Sequence, residues 1–188
     1  MNGKLEDKRA RIVDSADRLF YQQGYRQTSF TDIARETRLP RGNFYYYFPS
    51  KDAILAAVVA ARLTAIQHML NEWERSASDP RQRIDRFLQM LRTAAGELSR
   101  FGCPLGTLAQ ELGKAGAAPP LPIYQLFEPF RGWLTRQFEA MGSAGAADEQ
   151  AMHVLVRAQG ATQMSHIYGR PSILEHELDR LSEWLDGL

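Results

Sequence analysis

The apolar positions along this chain recur at helical spacing almost from end to end, and no stretch alternates with period two between turn signals. Residues 7–23 place Ile12, Ala16, Leu19 and Phe20 on one stripe, with Arg9, Arg11, Asp14 and Arg18 largely elsewhere; Gly24 follows as a stop. Ser29-Phe30-Thr31-Asp32 has the spacing of a capping box with Asp in the acidic position, and opens a short helix over 31–37 that Leu39-Pro40 ends. Ser50 can cap a long helix over 51–77, in which Ile54, Leu55, Val58, Leu63, Ile66, Met69, Leu70 and Trp73 recur at helical spacing. Asp79-Pro80 starts a further helix to about residue 100, with Ile84, Phe87, Leu88 and Leu91 as its apolar set. Helices over 104–112, 123–141, 148–168 and 172–186 complete the pattern, with a Gly/Ala/Pro-rich loop at 113–122. The fold class is all-α: an N-terminal three-helix module followed by a larger helical body, about nine helices in total, divided as residues 1–50 and 51–188.

The stretch FYYYF, Phe44 to Phe48, reads as a strand by propensity, since aromatic residues favour strands. Its setting argues for a short helix. At 100° per residue, Phe44 and Phe48 lie about 40° apart and both face a small core. Tyr45 and Tyr46 then project outward, with Tyr47 at the edge. Helix, short helix, tight break and second short helix is the layout of a helix-turn-helix unit. Tyrosine offers a hydroxyl to phosphate and a flat apolar body to sugar or a thymine methyl. Arg41 suits guanine, Asn43 suits adenine, and Gly42 allows close backbone approach. Lys51, at the start of the next helix, forms a cationic site suited to a phosphate.

Charge sharpens this picture slightly. The chain carries 23 basic and 22 acidic residues. Residues 1–51 hold ten Lys/Arg and six Asp/Glu, a net of +4 (10 − 6), and the remainder thirteen and sixteen, a net of −3 (13 − 16). A basic front end on a slightly acidic body fits a polyanion partner met by the N-terminal module alone. One cysteine, Cys103, excludes an internal disulfide framework and agrees with a reducing compartment. The first residues lack an apolar stretch suited to a signal peptide, and no uninterrupted apolar run approaches the ~18 residues of a membrane span. A cytoplasmic location is the expectation.

The segment TSFTDIARETRLPRGNFYYYFPSKDAIL, residues 28–55, resembles the DNA-binding signature of the TetR/AcrR family of bacterial transcriptional regulators. The similarity covers about residues 8–56: a threonine-rich helix start, an Ile-Ala pair, a turn, a basic-Gly-x-[LF]-Tyr recognition helix, and Phe-x-[SN]-Lys before the fourth helix. Where that family's turn often reads Gly-Val-Ser, this chain has Arg38-Leu39-Pro40. The resemblance implies that Thr31, Arg41, Gly42, Asn43, Tyr45 and Tyr47 meet operator DNA, while Ser29 and Lys51 contact its backbone. It also implies a homodimer joined through the last two helices and a small-molecule effector bound in the body; with one cysteine and no phosphate-cradling Gly-Lys-Ser/Thr loop, no cofactor or metal is expected.

The expected dimer face is the leucine row Leu174, Leu178, Leu181 and Leu185, with Leu155, Gln159 and Thr162 on the preceding helix. The large apolar residues of the middle helices, Phe87, Met90, Leu105, Phe127, Phe130, Trp133 and Met164, are either core or lining of an effector cavity. Cys103 precedes Pro104 and so falls at a helix N-cap, where the helix dipole favours thiolate. Gly-Cys-x-x-Gly-x-Leu also resembles a subset of the family, some members of which sense electrophiles or small unsaturated acids, so Cys103 is either a sensor or pocket residue or a small buried apolar one. The competing class is a helical thiol-dependent enzyme or a protein-binding bundle using Cys103. The four histidines, His68, His153, His166 and His176, show no metal-ligand spacing.

Overall fold

The structure is a computed structural model and describes residues 2–39, 44–113, 122–143 and 145–188. Every described element is helical: α1 (Asn2–Gln23), α2 (Phe30–Thr37), α3 (Phe44–Tyr47), α4 (Lys51–Ser76), α5 (Pro80–Thr93), α6 (Ala95–Phe101), α7 (Pro104–Gly113), a 3₁₀ turn (Ile123–Leu126), α8 (Glu128–Ala140), α9 (Ala147–Tyr168) and α10 (Pro171–Asp186). Several starts follow the sequence signals. Ser29 Oγ accepts the Asp32 N–H while the Asp32 carboxylate accepts the Ser29 N–H, which closes the capping box of α2. Ser50 Oγ accepts the Ala53 N–H at 3.1 Å at the start of α4. Asp79 caps α5 on the N–H groups of Arg81 and Gln82, with Pro80 in the first turn.

Two departures have physical causes. The helix expected over 79–100 is broken at Ala94, whose φ of −89° and ψ of 0° serve both as the end of α5 and the start of α6. Nothing local requires this, because alanine is a strong helix former. The two segments have different partners: α5 packs on α8 and α10, whereas α6 packs on α9 and α10. The helix expected from Ile123 begins instead as the 3₁₀ turn, and α8 starts at Glu128 with Pro129 in its first turn.

The chain forms two compact units. The first comprises Met1–Ala65 and Thr107–Leu126; the second comprises Ile66–Gly106 and Phe127–Leu188. In the first, α1 packs on α2 around Ile12, Ala16, Ile33, Phe44, Phe48, Ile54 and Val58, each no more than 2% exposed. In the second, α8, α9 and α10 pack with α5 and α6 around Ile84, Leu88, Trp133, Leu134, Phe138 and Val154. Arg81 ties α5 to α10 there: it pairs with Asp85 and with Asp186, the latter at 2.5 Å. Among the described residues α4 alone is long and apolar enough, by length and composition, to cross a membrane. Arg62 interrupts that run and pairs with Asp17 of α1 at 2.5 Å, and Ile54, Leu55, Val58, Val59 and Leu70 are buried against protein.

Candidate nucleic-acid interface

A single helical turn, α3, carries the aromatic run and divides it cleanly. Phe44 and Phe48 are buried, while Tyr45 and Tyr46 are 58% and 74% exposed. Phe30, at the first residue of α2, organises this face. Its ring stacks on Tyr45 at 5.6 Å with an interplanar angle of 24°, and meets Phe44 edge-on at 6.3 Å. Tyr46 and Tyr47 meet edge-on at 5.1 Å. The outward tyrosines are therefore oriented by ring contacts within the module, which suits a surface that docks on a fixed partner. Phe30 was not singled out from sequence; its place beside the N-cap Ser29, one turn from the buried Ile33, was the available signal.

Thr31 and Ser29 are exposed at the start of α2, with the Ser29 hydroxyl also donating to Asp32 at 2.6 Å. That bond leads the causes that hold the Asp32 carboxyl below its usual range, followed by the Ser29 N–H. Arg38, where the resembled pattern has glycine, adopts φ 55° and ψ 29°, the left-handed region. Its N–H donates to the Arg35 carbonyl at 3.3 Å and closes α2. The turn thus keeps the glycine-type conformation and carries a basic side chain in it, at the backbone cost described below. Arg41, Gly42 and Asn43 lie outside the described residues.

Lys51 departs from expectation. Its ammonium donates to the carbonyls of Tyr25 at 2.9 Å and Thr28 at 3.0 Å, with the Arg26 carbonyl at 3.5 Å, and sits 4.3 Å from the centre of the Tyr25 ring. Burial pushes its pKa down, against the opposing pull of Asp52 and Glu111. An ammonium with its three protons directed at backbone carbonyls is a clasp on the α1–α2 turn, so its assignment to a DNA phosphate is corrected. Tyr25 completes the clasp: its hydroxyl donates to the Asp52 carboxylate, and burial and that bond raise its pKa.

The second unit holds the residues expected at an effector site. Phe87, Leu105, Phe130 and Trp133 are buried, with Phe87 and Phe130 edge-on at 5.6 Å. Phe127 sits at the N-cap of α8 and is half-buried. Met164 is 42% exposed on the outer face of α9, so its assignment to an interior cavity is corrected. Met90 lines an open groove of about 580 Å³ with Trp73, Arg86, Gln89 and Glu97. Trp73 meets the buried Trp133 at 5.5 Å, and the Trp133 indole N–H has no hydrogen-bond partner among the described residues. Cys103 is half-buried before α7. Its sulfur accepts the Gly106 N–H at 3.4 Å and the Gln159 side-chain amide at 3.3 Å.

The expected dimer face also needs revision. Leu155, Thr162, Leu174, Leu178, Leu181 and Leu185 are buried within one chain, and Gln159 is engaged with Cys103. These side chains pack α9 and α10 into their own unit and are not available to a second copy. The exposed apolar face of α9 is instead Met152, Val156, Met164, Ile167 and Tyr168, with Gly160 among them and open space where its Cβ would be.

Residues 12–58 match the family described as bacterial regulatory proteins, tetR family. The chain is 28% identical over 181 residues to an uncharacterized helix-turn-helix transcriptional regulator in the lacX 3′ region of Lactococcus lactis, covering 94% of this chain and 92% of that one. It is 27% identical over 148 residues to the helix-turn-helix transcriptional regulator LmrA of Bacillus subtilis, covering 77% of each. Among solved structures, a TetR transcriptional regulator from Chloroflexus aurantiacus shares the fold with a TM-score of 0.85 at 22% identity, over 99% of this chain and 97% of that one.

Proposed function

We propose that this chain, which belongs to the TetR family of bacterial regulatory proteins, is a DNA-binding transcriptional regulator that acts as a repressor and leaves its operator when an effector binds. The observation that carries the reading is the tyrosine face of α3, exposed on a helix whose two phenylalanines are buried. In this reading residues 1–50 bind DNA, and residues 51–188 bind the effector and dimerise. Arg41 and Asn43 read base edges in the major groove, Gly42 permits close approach, and Tyr45, Tyr46 and Tyr47 contact phosphate, sugar or thymine methyls. Thr31 and Ser29 meet the DNA backbone. Lys51 contributes indirectly by fixing the turn that leads into α2.

The reading requires two recognition helices about 34 Å apart, one DNA turn, and so a homodimer. The outer face of α9 supports that partner as a second copy, because Val156, Ile167 and Tyr168 are each more than 60% exposed on one helix. The effector is a small molecule, for which the Trp73–Met90 groove offers an apolar wall with Arg86 and Glu97 as charged groups. A thiol-reactive effector would act at Cys103, whose half-buried sulfur accepts the Gly106 N–H and the Gln159 side-chain amide at the start of α7. A bacterial cytoplasm is the compartment in which such a protein meets DNA.

The test is fluorescence anisotropy of the purified protein on DNA from upstream of its own gene, with scrambled DNA as control, over a salt series. A regulator binds the first more tightly and loses affinity steeply as salt rises, because displaced counterions are released. Equal, weak binding to both, followed by no enrichment from random-sequence DNA, refutes the reading.

A further inference from the structure

Positive φ among the described residues falls on Gly24, Gly102, Gly142, Gly169 and one residue with a side chain, Arg38, at φ 55° and ψ 29°. A side chain there crowds its Cβ against the following carbonyl oxygen, so helices that end in this conformation favour glycine or asparagine. Any other residue stays in it only where the surrounding structure fixes the backbone. The fixing is visible on both sides of Arg38. The Thr37 carbonyl accepts Arg11 Nη2 at 2.9 Å, and the buried Thr37 hydroxyl donates to the Ile33 carbonyl at 2.9 Å. The Arg38 N–H donates to the Arg35 carbonyl at 3.3 Å. Contacts from α1 and α2 therefore set the backbone at 38, and none of them uses the Arg38 side chain.

The guanidinium has no evident task within the module. A cation at a helix C-terminus meets the negative end of the dipole, but α2 already has Arg35 in its last turn and the Arg11 guanidinium on its Thr37 carbonyl. The nearby acids are also engaged: Asp32 pairs with Arg35 at 2.7 Å and Glu36 with Arg18 at 2.8 Å. Arg38 is exposed and has no carboxylate partner among the described residues.

Its place between α2 and α3 says what it can meet. Arg38 precedes Arg41 by three residues of chain, a reach of at most about 11 Å. Where the start of a recognition helix enters the major groove, the helix before it crosses the sugar-phosphate backbone. The turn joining the two then passes the edge of the groove, within a long side chain's reach of a phosphate. We propose that Arg38 is a DNA-phosphate contact, a cation carried in the turn where glycine would be less strained. It reads no base; it adds affinity that is independent of sequence and helps fix the register of α3 on the duplex. The proposal rests on the DNA-binding reading above and adds a residue to it.

The experiment compares the full chain with Arg38→Gly, Arg38→Asn and Arg38→Lys by anisotropy over a salt series, with urea unfolding alongside. The probes are a duplex from upstream of its own gene and a scrambled duplex of the same length. Glycine and asparagine accept the left-handed backbone and drop the charge, whereas lysine keeps both the charge and the strain. Arg38→Gly should bind both duplexes more weakly at low salt, by about fivefold per protomer, the size of a well-made exposed charge contact. The difference should close as salt rises, with the salt slope lower by about one per protomer. Arg38→Asn should behave alike, and Arg38→Lys should keep the parent slope. Arg38→Gly should also resist urea better than the parent, so its weaker binding cannot come from unfolding. Unchanged affinity and slope in Arg38→Gly overturn the proposal. So does a loss confined to the upstream duplex, which would make Arg38 a base contact, or an Arg38→Lys slope as low as that of Arg38→Gly. A parent that binds both duplexes equally and enriches no motif from random-sequence DNA refutes the regulator reading instead; the slopes on either duplex still decide whether Arg38 meets phosphate.

Discussion

Replacing Lys51 by methionine separates two roles that look alike in sequence. Methionine keeps most of the stem and removes the ammonium, which donates to the Tyr25 and Thr28 carbonyls at 2.9 and 3.0 Å and faces the Tyr25 ring at 4.3 Å. A hydrogen bond from a charged group contributes roughly 1.5–3 kcal/mol, and an exposed cation–π contact about 0.5–1 kcal/mol. The site is half-buried and burial already disfavours the charged form, so part of the gain is cancelled by desolvation. Water can also reach the carbonyls once the ammonium is gone. The lower end is appropriate, a loss of about 2 kcal/mol, or about 4–8 °C in Tm for a chain of this size. Thermal and urea unfolding give the stability, and anisotropy over a salt series gives the number of phosphates neutralised. The clasp predicts lost stability with the salt slope unchanged. A phosphate contact would leave stability intact and lower the slope by about one. That second pattern would refute the assignment of Lys51 to the turn.

Arg38→Gly should stabilise the protein. The left-handed conformation costs a non-glycine residue about 1–2 kcal/mol and glycine returns about 0.5–1 through chain entropy, so urea unfolding should show a net gain of about 0.5–1 kcal/mol. The Asp32, Asp148 and Glu177 carboxyls are all held low, by Ser29, Arg131 and Arg157 respectively. Folded, they bind protons less readily than in the unfolded chain, so their contribution is complete only above about pH 5 and is lost as pH falls through the unfolded and then the folded values; acid titration of Tm should show that direction. Val156→Asp with Ile167→Asp should give a monomer by sedimentation, with a Tm that is lowered by loss of the partner and no longer depends on protein concentration, because both side chains are exposed in a single chain. Leu178→Ala, 1% exposed in a single chain, should instead cost about 2–5 kcal/mol of folding stability whatever the oligomeric state.

Local chemistry was legible in the sequence. Ser29-x-x-Asp32 and Asp79-Pro80 announced their helices, because a cap depends on residues only two or three apart. The inside and outside of FYYYF followed from helical geometry alone. What failed was partner choice. The leucine row of α10 has the same spacing whether it packs on its own α9 or on another chain, and periodicity does not distinguish the two. Met164 looked like cavity lining for the same reason. Lys51 read as a surface cation because its carbonyl partners lie 23 and 26 residues earlier. Glu111 is further removed still: its link to Arg26 spans 85 residues, and no motif marks it.

The central claim, that the segment from Arg41 to Tyr47 reads DNA sequence, is tested most directly by selection from random-sequence DNA with the parent protein and Arg41→Ala in parallel. The account predicts that the parent enriches a motif of two inverted half-sites, and that Arg41→Ala enriches a related motif with base preference relaxed at one position in each half-site. The same motif recovered at the same affinity by both proteins, or no motif from the parent, would contradict it.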